Sequence, residues 1–305
     1  MPSTAHGLPY PAGSAINNVP ADMQALASAV DARLPLPAYT TAQVAALTGA
    51  DRWTGRAVFD ATLGRVVVWD GAAWRPVPAA DLDGTAPGPL VNGSMEIWQR
   101  GTTGAMSTGG GAARAWGPDR WCVWRGFYAS GGSWSRIPLT RAVDAAPARY
   151  ALRLARAPGD AATYELIAGQ GVESGLSWPW AGRQATVSAW LRAGPGLTGT
   201  VRLQLAAGTG TDEDLAAGLS GQTYPVDQGA AAAAGGGFVR VTGTGTVPAA
   251  ATQLGVRVAW TPTGTAPAGA WLDVAAVQLD AGPVARPWRG EEPSGLLAAC
   301  RRTYR

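Results

Sequence analysis

Sugar rings are gripped through two kinds of contact: flat aromatic faces that take their C–H edges, and carboxylates or other polar groups that hydrogen-bond their hydroxyls. The chain carries candidates for both. Trp178 and Trp180 flank a proline in Ser177-Trp178-Pro179-Trp180-Ala181-Gly182, where two breakers predict a loop presenting at least one indole. Trp116, in Ala115-Trp116-Gly117-Pro118, is another loop aromatic, and Asp212, Glu213 and Asp214 form an acidic loop. Trp178, Trp180, Trp116, Asp212 and Asp214 are therefore the glycan-binding candidates. The competing role is mechanical: with 14 Trp and only 3 Phe in the chain, an indole also serves as core filler or as a lid over a sheet.

Other chemistries lack their parts. Hydrolysis of a polysaccharide needs two carboxylates opposed across ~5–10 Å, and Glu96, Asp119, Glu165 and Glu173 are available without any spacing that brings two together; solvated or arginine-paired carboxylates are the plainer identity. His6 is the single histidine and stands in a turn-rich N-terminal tail, and no Gly-x-Ser-x-Gly elbow occurs, so no nucleophilic triad is expected. The glycine tracts at 109–111 and 235–237 lack the lysine and helix of a phosphate loop. The acidic loop lacks the alternating ligand spacing of an EF-hand and reads as a surface charge cluster. Cys122 and Cys300 lie far apart outside any Cys/His cluster, which predicts two buried thiols, with neither a disulfide nor a metal. No catalytic residue and no cofactor is expected.

The elements that must carry these residues follow from composition. Gly 42 and Pro 23 punctuate 305 residues throughout, which excludes long helices over most of the chain and favours short strands joined by turns. All 24 basic residues are arginine, scattered singly, for a net charge of +3; no basic run tracks a phosphate backbone, so no nucleic-acid partner is expected. The N-terminus has neither a basic nor an apolar leader region and no apolar stretch reaches ~18 residues, which predicts a soluble chain with no cleaved signal and no membrane insertion.

Residues 1–39 form an anchoring segment with one helix over about 21–33, capped by Asn17 or Asn18, with Pro20 in its first turn. Val19, Met23, Leu26 and Val30 make one apolar stripe, so the helix either docks on the next domain or pairs with copies of itself; these four are the oligomerisation candidates. Residues 40–77 read as a small module, a helical turn over 41–48 and then a three-stranded meander centred on Asp70-Gly71, a tight-turn signal. Residues 78–89 are a linker. Residues 90–305 form the main domain: Ala185, Val187, Ala189 and Leu191 alternate against Thr186, Ser188, Trp190 and Arg192 over 184–193. Similar runs at 120–127, 134–141, 150–156, 163–168, 200–206, 238–243, 253–260 and 270–279 predict two packed antiparallel sheets. Residues 228–237 read as a surface loop. The pairs Trp98/Arg100 and Trp121/Arg120 are assigned to packing, with a buried arginine contact to Glu96 or Asp119.

Three phrases resemble phage tail-fibre and receptor-binding proteins. The first is Gly7-Leu8-Pro9-Tyr10-Pro11 with Asn18-Val19-Pro20-Ala21-Asp22-Met23-Gln24-Ala25-Leu26-Ala27. The second is Val58-Phe59-Asp60 with Trp69-Asp70-Gly71-Ala72-Ala73-Trp74. The third brackets the main domain: Val91-Asn92-Gly93-Ser94-Met95-Glu96-Ile97-Trp98-Gln99-Arg100-Gly101-Thr102, Pro118-Asp119-Arg120-Trp121, Val277-Gln278-Leu279-Asp280-Ala281-Gly282-Pro283-Val284-Ala285 and Cys300-Arg301-Arg302. The resemblance implies a mainly β chain ending in a carbohydrate-binding-like jelly roll, with the Asn92–Gly101 and Gln278–Gly282 phrases as neighbouring strands. It further implies a tail fibre or head spike of a phage or gene-transfer-agent-like particle, assembled in the host cytoplasm and displayed on the virion. Its partners would be bacterial surface polysaccharide and other virion proteins, in a homo-oligomer such as a trimer. A purely structural collar or adaptor is the alternative, followed by a polysaccharide depolymerase.

Overall fold

The computed structural model describes residues 37–63, 65–76, 88–106, 114–128, 131–141, 143–230, 236–291 and 293–302. The helix expected over 21–33, with Val19, Met23, Leu26 and Val30, and most of the linker lie outside these residues. The chain divides into two compact units, Met1–Ala86 and Pro87–Arg305.

In the first unit, β1 (Ala38–Tyr39), α1 (Thr41–Ala46), β2 (Ala57–Asp60), β3 (Arg65–Trp69) and β4 (Trp74–Pro76) make a four-stranded sheet in that strand order. The expected meander is β2–β4; β1 adds a parallel strand beside β2. Helix α1 starts at a capping box, in which Gln43 N donates to Thr40 Oγ1 and Thr40 N donates to Gln43 Oε1. The Asp70-Gly71 turn closes because Asp70 Oδ1 accepts from Ala72 N and Ala73 N while Gly71 takes φ 102°. Val44, Val58 and Val67 fill the small core.

The second unit begins with β5 (Thr103–Ala105), β6 (Ala115–Trp116), β7 (Cys122–Arg125), β8 (Gly132–Pro138), β9 (Tyr150–Arg156), β10 (Leu166–Val172) and α2 (Ser174–Ser177). It continues with β11 (Gln184–Ala193), β12 (Thr200–Gly208), β13 (Thr223–Ala230), β14 (Val239–Thr246), β15 (Gln253–Thr261), β16 (Trp271–Ala281) and α3 (Pro293–Arg302). Two six-stranded sheets result, ordered β13-β12-β15-β10-β7-β6 and β14-β11-β16-β9-β8-β5, antiparallel throughout. This is the antiparallel sandwich that the alternating runs predict. Between the sheets lie Val187 and Leu191 of β11, Leu203 and Leu205 of β12, Val256, Val258 and Trp260 of β15, and Leu272 and Leu279 of β16.

Three local features depart from the sequence reading. Strand β13 has no counterpart among the expected strands, and its last residues, 228–230, fall in the expected loop: it contains Pro225 and fully buries only Val226, both of which an edge strand tolerates. In β16, Val274 and Val277 both face the core although three apart, because the pairing with β11 shifts between Ser188 and Trp190 and Ala276 takes φ 46°: a β-bulge absorbs one residue.

The Asn92–Gly101 phrase is not a strand. Asn92 takes φ 58° and its side chain replaces a ladder. Its Oδ1 accepts from Glu96 N and Ile97 N at 2.8 and 3.0 Å, and its Nδ2 donates to Ile97 O and Asp119 O at 3.0 and 2.9 Å. The loop still lies against β16, since Val277 N donates to Gly93 O, and a Cβ on Gly93 would stand 2.1 Å from Val277 O, which explains the glycine. The arginine contacts also differ from those expected: Glu96 pairs with Arg149, Asp119 accepts from Gln99 N and Nε2, and Arg120 pairs with Glu173.

Candidate functional site

At one end of the sheet that contains β6, β7 and β10, a cleft of about 600 Å³ opens between Trp116, Arg120, Glu173, the 212–215 loop and the end of α3. Pockets of ~300–1,000 Å³ suit small ligands. Trp116 belongs to the edge strand β6, and its register partner is Cys122, which in turn pairs with Gly169 of β10; the three therefore share the outer face of the sheet. Between β6 and β7 the chain reverses in a tight turn, where Trp121 N donates to Pro118 O and Arg120 adopts φ 72°. A non-glycine residue held in that region stores strain, and such strain concentrates at binding sites.

The Trp116 ring does not stand bare. The guanidiniums of Arg100 and Arg114 lie 4.9 and 5.2 Å from its centroid, and Arg114 is also paired with Asp214. Opposite them, the acidic loop is held rigidly. Asp212, at φ 49°, accepts from Ser174 N at 2.7 Å, and its own N–H donates to Ser174 Oγ at 2.9 Å. Glu213 accepts from the Ser220 hydroxyl and N–H and from Gln253 Nε2, bonds that hold its carboxyl below the usual range. Asp214 accepts from Ala216 N at 3.0 Å as well as pairing with Arg114. Glu173, at the exit of β10, takes Arg120 at 3.2 Å and Arg302 at 3.0 Å. The cleft wall thus alternates guanidinium and carboxylate around one indole, a pattern that offers adjacent donors and acceptors to a pair of neighbouring hydroxyls.

Of the five glycan-binding candidates, the fold brings Trp116, Asp212 and Asp214 into this cleft. Trp178 and Trp180 lie instead on a single 3₁₀ turn directly after α2, not in an open loop. Trp178 is 75% exposed, whereas Trp180 is half-buried and packs on the main core. Sequence reasoning did not select Arg100, Arg114 and Arg302, and it assigned Arg100 and Arg120 to packing. The signal for Arg120 was its place in Pro118-Asp119-Arg120, a turn, where an arginine has little core to pack against. Both thiols are buried as expected. Burial pushes Cys122 and Cys300 up to about 12, and Cys122 Sγ donates to Gly169 O at 3.2 Å.

No family model and no curated protein matches the sequence. Among solved structures, the chain is similar to the enzymatically active domain of tailspike protein 4 of bacteriophage CBA120, at 9% identity and a TM-score of 0.35 over 53% of this chain and 19% of that one. It is similar to the carbohydrate-binding and catalytic modules of a Clostridium thermocellum xylanase solved with xylohexaose, at 11% identity and 0.33 over 54% and 26%. It is also similar to a xylan-binding domain of a Paenibacillus barcinonensis xylanase, at 11% identity and 0.33 over 66% and 100%. The chain spans about a fifth of the tailspike chain and a quarter of the first xylanase chain. Likeness at this level carries no argument about ligand or activity.

Proposed function

We propose that this chain is a structural attachment protein of a phage or phage-like particle, a tail fibre or head spike, whose sandwich holds bacterial surface glycan without cleaving it. The observation that carries the reading is the convergence of Trp116, Asp212 and Asp214, up to 98 residues apart in the chain, on one cleft lined by paired guanidiniums and carboxylates. Holding rather than cutting is supported by how the acidic groups are used. A glycosidic general acid needs a raised pKa, whereas Glu213 is held low and Glu173 and Asp214 each lie against arginine. A weak single site suits such a particle, because several copies acting together raise avidity by ~10²–10⁴. The 1–39 segment, through Val19, Met23, Leu26 and Val30, is the part proposed to join copies to one another or to other virion proteins.

The test is a cell-binding and glycan-array assay on the purified oligomer, with Trp116→Ala and Asp214→Asn beside it. Surface binding that both substitutions weaken supports the reading. Absence of surface binding favours a collar or adaptor, and shortening of capsular polysaccharide on incubation favours a depolymerase; either result overturns it.

A further inference from the structure

Away from the cleft, at the opposite end of the same sheet, one aromatic pair stands in solvent. Phe127 is 88% exposed and Tyr164 46%, with ring centroids 5.2 Å apart at 56°. Phe127 sits just beyond β7 at φ 53° and ψ 20°. That backbone region is disfavoured for an L residue, and here no burial of the ring offsets it. The turn is nonetheless firmly placed: Gly126 N donates to Glu165 O at 2.7 Å, and Tyr164 Cβ lies 3.6 Å from where a Cβ on Gly126 would stand.

The strand register continues this platform across the sheet. Leu166 pairs with Arg125 and with Trp260, so Glu165 follows on beside Gly126 and Thr261; the next row of the outer face carries Arg202, and the one after it Arg257, Gln204 and Asp227. Three strand spacings of ~4.8 Å make a band about 14 Å wide. Its polar groups form two hydrogen-bonded sets, one on Glu165 and one on Asp227. Glu165 takes Arg257 at 2.9 Å and Thr261 Oγ1 at 3.1 Å, Arg257 donates to Tyr224 OH at 2.7 Å, and Asp227 takes Arg202 at 2.6 Å and Gln204 Nε2 at 2.8 Å.

We propose that the Phe127–Tyr164 pair and the polar band from Glu165 to Asp227 form a second saccharide-binding surface, distinct in every residue from the cleft at Trp116, and that it takes a neutral sugar. The aromatic pair supplies the stacking face and the band supplies hydroxyl partners. Neutrality follows from charge: Glu165 is matched by Arg257 and Asp227 by Arg202, so the band presents no net charge to draw an anionic glycan. A lipid surface or an obligate protein partner would call for a broad apolar patch of several hundred Å², and the two rings are instead bordered by the Glu165–Arg257 ion pair.

The experiment compares wild type, Phe127→Ala, Phe127→Trp and Trp116→Ala on an array of neutral and acidic bacterial glycans. Phe59, Phe127 and Phe238 are the three phenylalanines of the chain, so ring-labelled phenylalanine NMR follows Phe127 directly on adding a bound neutral oligosaccharide. The expected result is a neutral glycan whose affinity falls about tenfold in Phe127→Ala, is kept in Phe127→Trp and in Trp116→Ala, and whose addition shifts the Phe127 ring. An exposed ring contributes little to folding, so an unchanged melting temperature accompanies the loss. Equal binding of every glycan by wild type and Phe127→Ala overturns the second surface, and leaves the cleft standing if Trp116→Ala weakens binding. Selective loss of acidic glycans only, a Phe127 ring that responds to phospholipid vesicles but to no glycan, or a wholly silent array also overturns it.

Discussion

Arg302, on the last helix, donates to both carboxylate oxygens of Glu173, at 3.0 and 3.2 Å, across 129 residues of chain. Arg120, in the turn before β7, reaches the same carboxylate at 3.2 Å. Glu173 therefore joins three separate segments, and the final helix becomes a wall of the cleft rather than a tail.

Because Arg302 and Glu173 are each a third or more exposed, their ion pair contributes little to folding, ~0–1 kcal/mol, and Glu173→Gln keeps an acceptor for the more buried Arg120. Arg302→Ala and Glu173→Gln are thus expected to leave the urea midpoint nearly unchanged while weakening glycan binding by the cleft, with Glu173→Gln the more damaging. Paired urea titrations and binding isotherms check this; a large stability loss with intact binding contradicts it.

Asp273 presents the opposite case. It is fully buried on the outer side of the second sheet, bound by Arg153 through Nε and NH2 at 2.7 and 2.9 Å and by Arg192 at 3.0 and 2.8 Å. Arg192 also takes Asp144 at 2.6 Å, and the Arg153 guanidinium lies 3.7 Å from the Trp271 ring centroid. Asp273→Ala leaves two largely buried guanidiniums short of their partner, Arg192 keeping Asp144, at a cost at the low end of the buried-pair range, about 3 kcal/mol. Equilibrium unfolding measures that loss, and glycan binding of the remaining folded protein is expected to be unchanged.

Acid stability is set by carboxylates whose folded pKa lies below the ordinary value. At Asp160, burial pushes the carboxyl up, but hydrogen bonds from Arg125, Ala162 N and Arg156 outweigh it and leave it lowered. Asp227 is lowered chiefly by Arg202, against its burial, with help from Gln204. A group depressed on folding stabilises the protein above its unfolded pKa, ~3.9 for Asp, and that contribution is lost as pH falls through the folded value. Stability is therefore expected to be flat near neutrality and to fall below about pH 4. Asp160→Asn should flatten the fall; unfolding titrations between pH 7 and pH 2.5 read it out.

The thiols give a fourth prediction. With Cys122 and Cys300 buried and pushed up to about 12, neither presents thiolate at pH 8. A chromogenic disulfide reagent is expected to find no reactive thiol in the native protein and both after denaturation, with the rate following unfolding.

What the residues determined by themselves was local. The alternation of Ala185, Val187, Ala189 and Leu191 requires a half-buried strand wherever that segment lies, and Asp70-Gly71 closes a turn through its own carboxylate, so strand content and the sandwich class were legible without coordinates. Edge strand β13 and the bulge at Ala276 were not, because one carries too few core residues to alternate and the other breaks the period by one. The placement of Trp116 beside Arg114 and Asp214, of Arg302 on Glu173, and of Phe127 against Tyr164 was decided only in three dimensions. Each depends on which strands become neighbours, and antiparallel pairing joins segments far apart in the chain by backbone bonds that every residue type makes alike. Side-chain pattern therefore tells which face of a strand is buried, while the tertiary register tells which residues meet on the other.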